Sequence, residues 1–330
     1  MVSRRQSLIC TLAMGCAMFI ICLHLLRASP HHALHPSSRH APQTLPGRLP
    51  EVKDYTLTQD RKSRVCAKGP APFTMQHLRD EFAKFIAVYD NRPRAVNRYG
   101  SKMAHQFAMF VAVRYFKPRH IIESGVFKGL GSWMLRQAAP DAQLVLLDPE
   151  ANHLAYTDRH KDTIYLIQDQ FADFGELNFR NMGLDPARTL VYFDDHQNAI
   201  KRTRQAHKKG FKLLMFDDNN EIFHVDSTTL KQAISLVLGT NTTEIKYKDD
   251  FGQIEGDLDE DDMHNINDTV NSIINTYYEF PFPYNAPAKT GEKLYPDLFW
   301  DQIKEKFNMK STDDHYGHVE FKHVCLVTLK

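Results

Sequence analysis

Five nearly unbroken apolar runs constrain the fold of this 330-residue chain more than any other feature of its sequence. Alternating apolar and polar residues predict a strand with one solvated face, whereas an unbroken run predicts a strand covered on both faces. A basic helical segment at residues 196–210 joins the last two runs and ends at Gly210, where a left-handed residue closes a helix easily. We therefore predict a doubly wound α/β sheet of mostly parallel strands. The runs lie at residues 120–124, 143–148, 163–168, 189–195 and 211–218.

Helices precede this sheet and one strand follows it. Apolar residues recur at helical spacing over residues 74–90 and 101–116, and Pro118 ends the second of these helices. The closing run at residues 321–329, FKHVCLVTL, predicts a final strand at the edge of the sheet. We expect this edge to pair antiparallel, on an otherwise parallel sheet.

Every predicted strand of the sheet ends at, or next to, an acidic residue. Open α/β sheets bind their ligands at the carboxyl ends of the strands, so five acidic ends predict a binding site there. Polar residues that merely cap the strands are the simpler alternative. The acidic residues are Glu123, Asp148, Asp169, the pair Asp194 and Asp195, and the pair Asp217 and Asp218.

A glycine-rich turn follows the first strand. The segment ESGVFKGLG carries Gly125, Gly129 and Gly131, which allow a tight turn and a close approach of a ligand to the backbone. The spacing differs from the G-x-G-x-x-G pattern that binds the pyrophosphate of dinucleotides. The turn therefore favours a cofactor without a pyrophosphate.

The acidic glycine turn, with Asp148 ending the next strand, resembles the first two motifs of class I S-adenosylmethionine-dependent methyltransferases. The resemblance implies a Rossmann-like methyltransferase sheet and S-adenosylmethionine as the cofactor. It places the backbone around Gly125 at the methionine part of the cofactor, Asp148 at the ribose, and Asp169 or Gln170 at the adenine. The full set of cofactor-binding residues that it implies is Glu123, Ser124, Gly125, Gly129, Gly131, Asp148, Asp169, Gln170 and Asp194.

The segments VYFDDH and LLMFDDN resemble the fourth and fifth strand ends of metal-dependent sugar O-methyltransferases of the macrocin type. In that family the two strand ends hold Mg²⁺, which lowers the pKa of the acceptor hydroxyl. The resemblance implies His196 and Asp195 as catalytic residues, His196 being the general base, and a glycan hydroxyl as the acceptor. It covers about residues 100–220, and the usual aspartate-glycine turn after the fourth strand is absent. The implied metal ligands are Asp194, Asp195, Asp217 and Asp218.

The amino-terminal segment predicts a membrane anchor. Residues 7–26 are apolar over about twenty positions, enough to cross a hydrocarbon layer of about 30 Å. Arg4 and Arg5 precede this span and favour a cytosolic amino terminus. We therefore expect a type II membrane protein of the secretory pathway, in the Golgi, with a tail at residues 1–6, a stem at 27–70 and a lumenal domain at 71–330. A cleaved signal peptide is the alternative.

Other features bear on this compartment. Cys66 and Cys325 flank the globular part, either as a disulfide or as two buried thiols. Asn241 and Asn267 are potential glycosylation sites. The acidic segment 249–268 predicts a solvated loop or lid. The aromatic segment 277–300 predicts a rigid loop over a carbohydrate ring or, more commonly, packing against the sheet.

Two other functions remain open on sequence alone. A Golgi glycosyltransferase has the same membrane topology and uses aspartates at a strand end to bind metal and nucleotide sugar. A non-catalytic binding protein would pair its strand-end carboxylates with Arg or Lys. The 41 basic and 40 acidic residues nearly cancel, which argues against a nucleic-acid partner.

Overall fold

The chain divides into two compact units, Met1–Glu51 and Val52–Lys330. The computed structural model describes parts of the second unit: residues 58–60, 65–93, 100–150, 154–219, 228–238, 246–248, 254–257, 260–285, 292–309 and 324–330. The predicted cytosolic tail and membrane span, most of the predicted stem and Asn241 lie outside these residues. Within the described ranges, no helix has the length and apolar character needed to span a membrane.

The described part of the chain contains both strands and helices. The strands are β1 (Thr58–Asp60), β2 (Val65–Ala67), β3 (His120–Ser124), β4 (Gln143–Asp148), β5 (Thr163–Ile167), β6 (Thr189–Phe193), β7 (Leu213–Phe216), β8 (Lys246–Lys248), β9 (Ile254–Asp257), β10 (Ile274–Glu279), β11 (Phe282–Tyr284), β12 (Lys293–Tyr295) and β13 (Cys325–Leu329). The α-helices are α1 (Met75–Tyr89), α2 (Met103–Phe116), α3 (Leu130–Ala138), α4 (Ala199–Lys208), α5 (Leu230–Val237), α6 (Glu260–Asp268) and α7 (Trp300–Lys306).

Seven strands form the main sheet, in the order β10-β13-β7-β6-β3-β4-β5. Strands β5, β4, β3, β6 and β7 run parallel, and β13 is antiparallel to both β7 and β10. The five predicted strands and the mostly parallel sheet with an antiparallel pair at its edge are confirmed. The closing strand β13 lies one position inside the predicted edge, because β10 pairs with its outer side.

Helices cover both faces of the sheet, and this explains the unbroken apolar runs. Ile121 and Leu144 pack into the hydrophobic cluster that includes α1, α2 and α3, whereas Ile122 and Val145 pack into the opposite cluster with α4 and α5. Successive strand residues point to opposite faces, so both faces of β3 and β4 require apolar side chains. The two clusters fix the sheet between its helices and so fix the positions of the strand ends.

The folded part begins before residue 71. Strand β2 pairs with β1, and Lys68 forms an antiparallel bridge with Tyr277 of β10. Residues assigned to the stem from composition therefore belong to the domain. Cys325 is a buried free thiol, in line with the unpaired alternative, while the side chain of Cys66 lies outside the described residues.

Two segments differ from the loops that their composition predicted. The acidic segment 249–268 contains β9 and α6, and α6 begins with Glu260, Asp261 and Asp262, which interact favourably with the positive end of a helix dipole. The aromatic segment 277–300 contains the end of β10 and strands β11 and β12, with buried aromatic side chains. Packing, the commoner explanation, therefore accounts for these aromatics. Asn267 lies exposed on α6, where its Nδ2 donates to the carbonyl of Met263.

Candidate functional site

The strand order reverses at β3. The chain runs outward from β3 through β4 to β5, then returns to the other side of β3 with β6 and continues outward to β7. Open α/β sheets bind their ligands in the crevice outside the carboxyl ends of the strands at such a reversal. The acidic strand ends and the glycine turn all lie at this edge of the sheet.

Backbone strain is concentrated at the same edge. Four residues other than glycine have positive φ angles in the turns that follow β3, β5, β6 and β7: Phe127 (49°), Gln168 (51°), His196 (58°) and Asp218 (53°). Such conformations cost on the order of 1–3 kcal/mol each and cluster at functional sites. Two further described residues with positive φ, Lys117 and Asn308, follow helices instead. The strain therefore indicates a site at the carboxyl edge.

The glycines of the turn after β3 make room for other parts of the protein. Gly125 has a φ of +93°, and a Cβ atom there would lie 2.1 Å from the carbonyl oxygen of Asp194. At Gly129 a Cβ would lie 2.4 Å from the carbonyl oxygen of Tyr156, and at Gly131 it would lie 2.2 Å from Oε1 of Glu123. Protein atoms therefore occupy the Cβ side of all three glycines, and Gly131 is buried, while the contact of the turn's backbone with a cofactor stays a prediction.

Asp148 anchors the glycine turn. Its Oδ2 accepts hydrogen bonds from the backbone N–H groups of Val126 (2.8 Å) and Phe127 (2.7 Å), and its Oδ1 accepts one from Glu150 (2.7 Å). A carboxylate has about four acceptor positions, so about one remains for a ribose hydroxyl. The sequence predicted the ribose contact and missed the role of Asp148 in holding the turn.

Glu123 and Ser124 point into the protein and are not open to a cofactor. Glu123 is 1% exposed and accepts a hydrogen bond from the hydroxyl of Ser132. Burial raises the pKa of Glu123 from 4.5 to about 8. The hydroxyl of Ser124 donates to Oδ2 of Asp195 at 2.6 Å. Both residues were predicted to contact the cofactor, and the structure assigns them to the support of the turn instead.

Asp195 belongs to a buried ion-pair network. Nε of Arg202 donates to its Oδ2 at 2.9 Å, and the same guanidinium donates to both carboxylate oxygens of Asp173, at 2.9 and 2.7 Å. Burial raises the pKa of Asp195, and the positive charge of Arg202 opposes that rise. Asp195 lines the cavity between the ends of β6 and β7, but Arg202 and Ser124 occupy its Oδ2, so its predicted roles as a metal ligand and as a catalytic residue stay predictions.

Buried partners hold the side chain of Asp217. Its side chain is 3% exposed, its Oδ2 lies 3.0 Å from Nδ1 of His105, and the hydroxyl of Tyr192 donates to the same oxygen at 3.0 Å. Both partners are buried. Asp217 is not one of the three residues whose ligand atoms converge, and its role as a metal ligand stays a prediction.

The remaining acidic residues of the two pairs come together. Asp194, His196 and Asp218 each offer one ligand atom, and these atoms all lie within 4.8 Å of one another. Nε2 of His196 lies 3.8 Å from Oδ2 of Asp218. The three residues line a cavity of about 30 Å³ between the ends of β6 and β7, large enough for an ion or a water molecule. Two carboxylates and an imidazole fit a divalent cation, and the imidazole suits Mn²⁺ better than Mg²⁺, which prefers oxygen ligands.

Asp169 and Gln170 lie in a short 3₁₀ turn after β5, at Gln168–Gln170. Both are exposed at the carboxyl edge, and β5 pairs directly with β4, whose last residue is Asp148. Their position is compatible with the predicted contact to adenine, which stays a prediction.

A buried polar network that the sequence did not suggest supports the end of β7. Nδ2 of Asn219 donates to the hydroxyl of Tyr277 (2.7 Å), and Oδ1 of Asn219 accepts from the backbone N–H of Lys231 (2.9 Å). The hydroxyl of Tyr277 and Nζ of Lys231 donate to the two carboxylate oxygens of Glu279, at 2.6 and 2.9 Å. The network holds Asn219, the residue that follows Asp218, in place. No local signal distinguishes these residues from surface polar residues, because their partners lie far away in the sequence.

Comparisons with known proteins add structural likeness but no close relative. No protein-family model and no curated protein matches the chain. Among solved structures, the chain is similar to an O-methyltransferase from Bacillus cereus in complex with SAH, with 10% identity, 78% of this chain and 92% of that chain covered, and a TM-score of 0.35. It is also similar to an O-methyltransferase from Streptomyces achromogenes involved in tomaymycin synthesis, in complex with SAM, with 13% identity, 77% and 90% covered, and a TM-score of 0.35.

A SAH-bound methyltransferase from Podospora anserina has 12% identity, with 77% of this chain and 88% of that chain covered and a TM-score of 0.33. All three TM-scores are below 0.5.

Proposed function

We propose that the chain is an S-adenosylmethionine-dependent O-methyltransferase. The observation that carries the proposal is the reversal of strand order at β3, where a glycine turn held by Asp148 lies beside the group of Asp194, His196 and Asp218. A cofactor crevice and a candidate metal group thus lie on adjacent strand ends, an arrangement suited to placing a methyl donor next to an acceptor hydroxyl.

The cofactor would occupy the crevice outside β3 and β4. The remaining acceptor position of Asp148 would bind a ribose hydroxyl, and Asp169 or Gln170 would lie at the adenine. The backbone of the turn at Gly125 would face the methionine part. These roles rest on the family resemblance and on the position of each residue at the carboxyl edge.

Asp194 and Asp218 would hold a divalent cation, which when bound lowers the pKa of an acceptor hydroxyl. His196 is 46% exposed and lies beside the two carboxylates, where its imidazole can take the proton of that hydroxyl. The same imidazole is close enough to be a third ligand. The buried pairs of Asp195 and Asp217 keep the neighbouring carboxylates away from the ion.

The acceptor that we infer is a hydroxyl of a glycan, and the compartment is the lumen of the Golgi. Support for the compartment comes from the apolar segment 7–26, the proline- and serine-rich segment after it, and the two glycosylation motifs. Support for the acceptor comes from the resemblance to sugar O-methyltransferases.

A methyl-transfer assay tests the proposal. The full-length chain is incubated with S-adenosylmethionine carrying a radiolabelled methyl group and with glycans released from secretory glycoproteins, with EDTA, Mg²⁺ or Mn²⁺. We expect label in the glycans, loss of it with EDTA, and better recovery with Mn²⁺ than with Mg²⁺.

Variants of the same assay separate the roles of the site residues. Asp218→Asn should lose both Mn²⁺ binding and transfer, whereas Glu176→Gln, the same change at an exposed carboxylate away from the site, should lose neither. His196→Gln should lose transfer and retain Mn²⁺ binding if His196 is the base, and should lose both if it is a ligand. Absence of labelled glycan under all three ion conditions would contradict the proposed activity.

A further inference from the structure

A second cleft lies at the opposite edge of the sheet from the proposed cofactor crevice. It has a volume of about 600 Å³, within the range of small-molecule sites. The end of α2, the end of α3 and the residues just before β3, β4 and β6 form its walls. Since these segments precede the strands, the cleft opens at the amino edge and is separate from Asp194, His196 and Asp218.

Cations dominate the lining of this cleft. Arg114, Lys117, Arg119 and Arg188 line it together with a single carboxylate, that of Asp141. Arg114 forms an ion pair with Glu81 at 2.7 Å. Within the described ranges, the side chains of Lys117, Arg119 and Arg188 form no ion pair or side-chain hydrogen bond. Three positive charges therefore lie at the cleft without forming an ion pair among the residues that the structure describes.

Two of these cations immediately precede adjacent strands. The backbone N–H of Arg119 donates to the carbonyl of Arg188 at 2.8 Å, and the next residues, His120 and Thr189, pair in the parallel register of β3 and β6. The two arginines are therefore neighbours along the amino edge of the sheet.

The positive charges of Arg119 and Arg188 also affect the pKa of the buried His120. Burial lowers its pKa, and the charges of Arg119 and Arg188 lower it further, against the hydrogen bond that its Nδ1 donates to Oε1 of Gln143 and the charge of Asp185. The chemistry of the cations indicates the ligand. Guanidinium groups bind phosphate and sulfate oxygens in pairs, and Lys adds a point charge. Three separate cations suit the three free oxygens of a sulfate or phosphate ester better than the two oxygens of a carboxylate.

We propose that the cleft at the amino edge binds a ligand carrying a sulfate or phosphate group, held by Arg119, Arg188 and Lys117. The site is independent of the methyltransferase proposal, because it shares no residue with the carboxyl edge. The same oxyanion chemistry occurs in sulfated sugars and in phosphorylated compounds, so the test uses a probe for each.

The experiment is isothermal titration of the full-length chain with inorganic pyrophosphate and, separately, with a disulfated disaccharide. We expect the wild type to bind at least one probe, and Arg119→Ala/Arg188→Ala to raise its Kd at least tenfold. Arg119→Lys/Arg188→Lys keeps the charge but loses the paired hydrogen bonds, and should give an intermediate Kd. Binding of pyrophosphate alone identifies a phosphorylated ligand, and binding of the disaccharide alone identifies a sulfated sugar.

The matched control is Arg180→Ala/Lys161→Ala, which removes the same charge at exposed positions outside the cleft. Its Kd should stay within about threefold of the wild type, because screening weakens distant charges. A wild type that binds neither probe overturns the proposal, and so does an equal rise in Kd in the control. The affected arginines lie outside the hydrophobic core, so we expect each variant to fold, as thermal melting will verify.

Discussion

At the scale of single residues, the buried carboxyl of Glu123 links stability to pH. The pKa of Glu123 is raised to about 8 in the folded state, against 4.5 as its ordinary value, so unfolding releases a proton between these two pH values. Stability contributed by the protonated group is complete below about pH 4.5 and is lost as the pH rises toward 8. Glu123→Gln keeps an acceptor for Ser132 and removes the ionisation.

We therefore predict that the free energy of unfolding of Glu123→Gln, relative to the wild type, rises by roughly 1.4 kcal/mol for each pH unit between pH 5 and 8. Urea unfolding at pH 5, 6, 7 and 8 measures this difference. Glu176→Gln, at an exposed position, should show no such slope. Parallel pH profiles for the wild type and Glu123→Gln would mean that Glu123 is not protonated in the folded protein.

Gly125 gives a second prediction at this scale. An alanine there would have to adopt a φ of +93° and would also contact the carbonyl oxygen of Asp194 at 2.1 Å. Gly183 is the matched control, because its φ is +78° but no atom lies within 4 Å of a Cβ. Gly183→Ala should cost about 1–2 kcal/mol, the strain of a left-handed alanine.

Gly125→Ala should cost at least about 2 kcal/mol more than Gly183→Ala, because the backbone of Asp194 must move. The free energies of unfolding in urea measure both. Equal costs for the two variants would show that Gly125 is needed only for its φ angle and not for its contact with the end of β6.

The adjacent acidic pairs show what sequence could and could not predict at this scale. Acidic strand ends predicted where the site lies, because the carboxyl ends of parallel strands share an edge. They could not predict that the first acid of one pair, Asp194, and the second of the other, Asp218, would converge with His196. The positive φ angles of His196 and Asp218, with the distant partners Arg202 and His105, decide which carboxylate turns inward.

At the scale of elements, the ion pair between Lys231 and Glu279 connects α5 to β10. Both side chains are 4% exposed and their charged atoms lie 2.9 Å apart. Lys231→Met leaves the carboxylate of Glu279 buried without its cation, which should cost about 3–5 kcal/mol. The double variant Lys231→Met/Glu279→Met removes both charges and should cost less than the single one.

Urea unfolding of the single and double variants measures this difference. A double variant that is less stable than Lys231→Met would contradict the pairing. Asn219 bonds to the same network and follows Asp218, so Lys231→Met should also weaken Mn²⁺ binding. The same change at the exposed Lys161 should not.

Strands could be predicted from the sequence where both of their faces are buried. Strands β3, β4 and β6 have apolar residues on both faces, so their runs are unbroken and were found from sequence. Helix α6 was not predicted from the sequence. Its acidic residues lie in the first turn of the helix, but an acidic segment of this composition resembles a solvated loop. The position of β13 between β10 and β7 could not be predicted from the sequence either, since the order of strands depends on pairing between distant segments.

At the scale of the whole molecule, the sheet separates two sites of opposite charge. The carboxyl edge gathers Asp194, Asp218 and Asp148, and the amino edge gathers Arg119, Arg188 and Lys117. The near balance of acidic and basic residues in the sequence conceals this separation, because net charge says nothing about position. A cation and an oxyanion can therefore bind the same domain at opposite edges.

The most direct test of the central claim is calorimetric titration of the full-length chain with S-adenosylmethionine and with a panel of nucleotide sugars. We predict that S-adenosylmethionine binds, that Asp148→Asn raises its Kd at least tenfold, and that Glu150→Gln, an exposed carboxylate two residues away, leaves it unchanged. No binding of S-adenosylmethionine, with binding of a nucleotide sugar instead, would contradict the account and identify a glycosyltransferase.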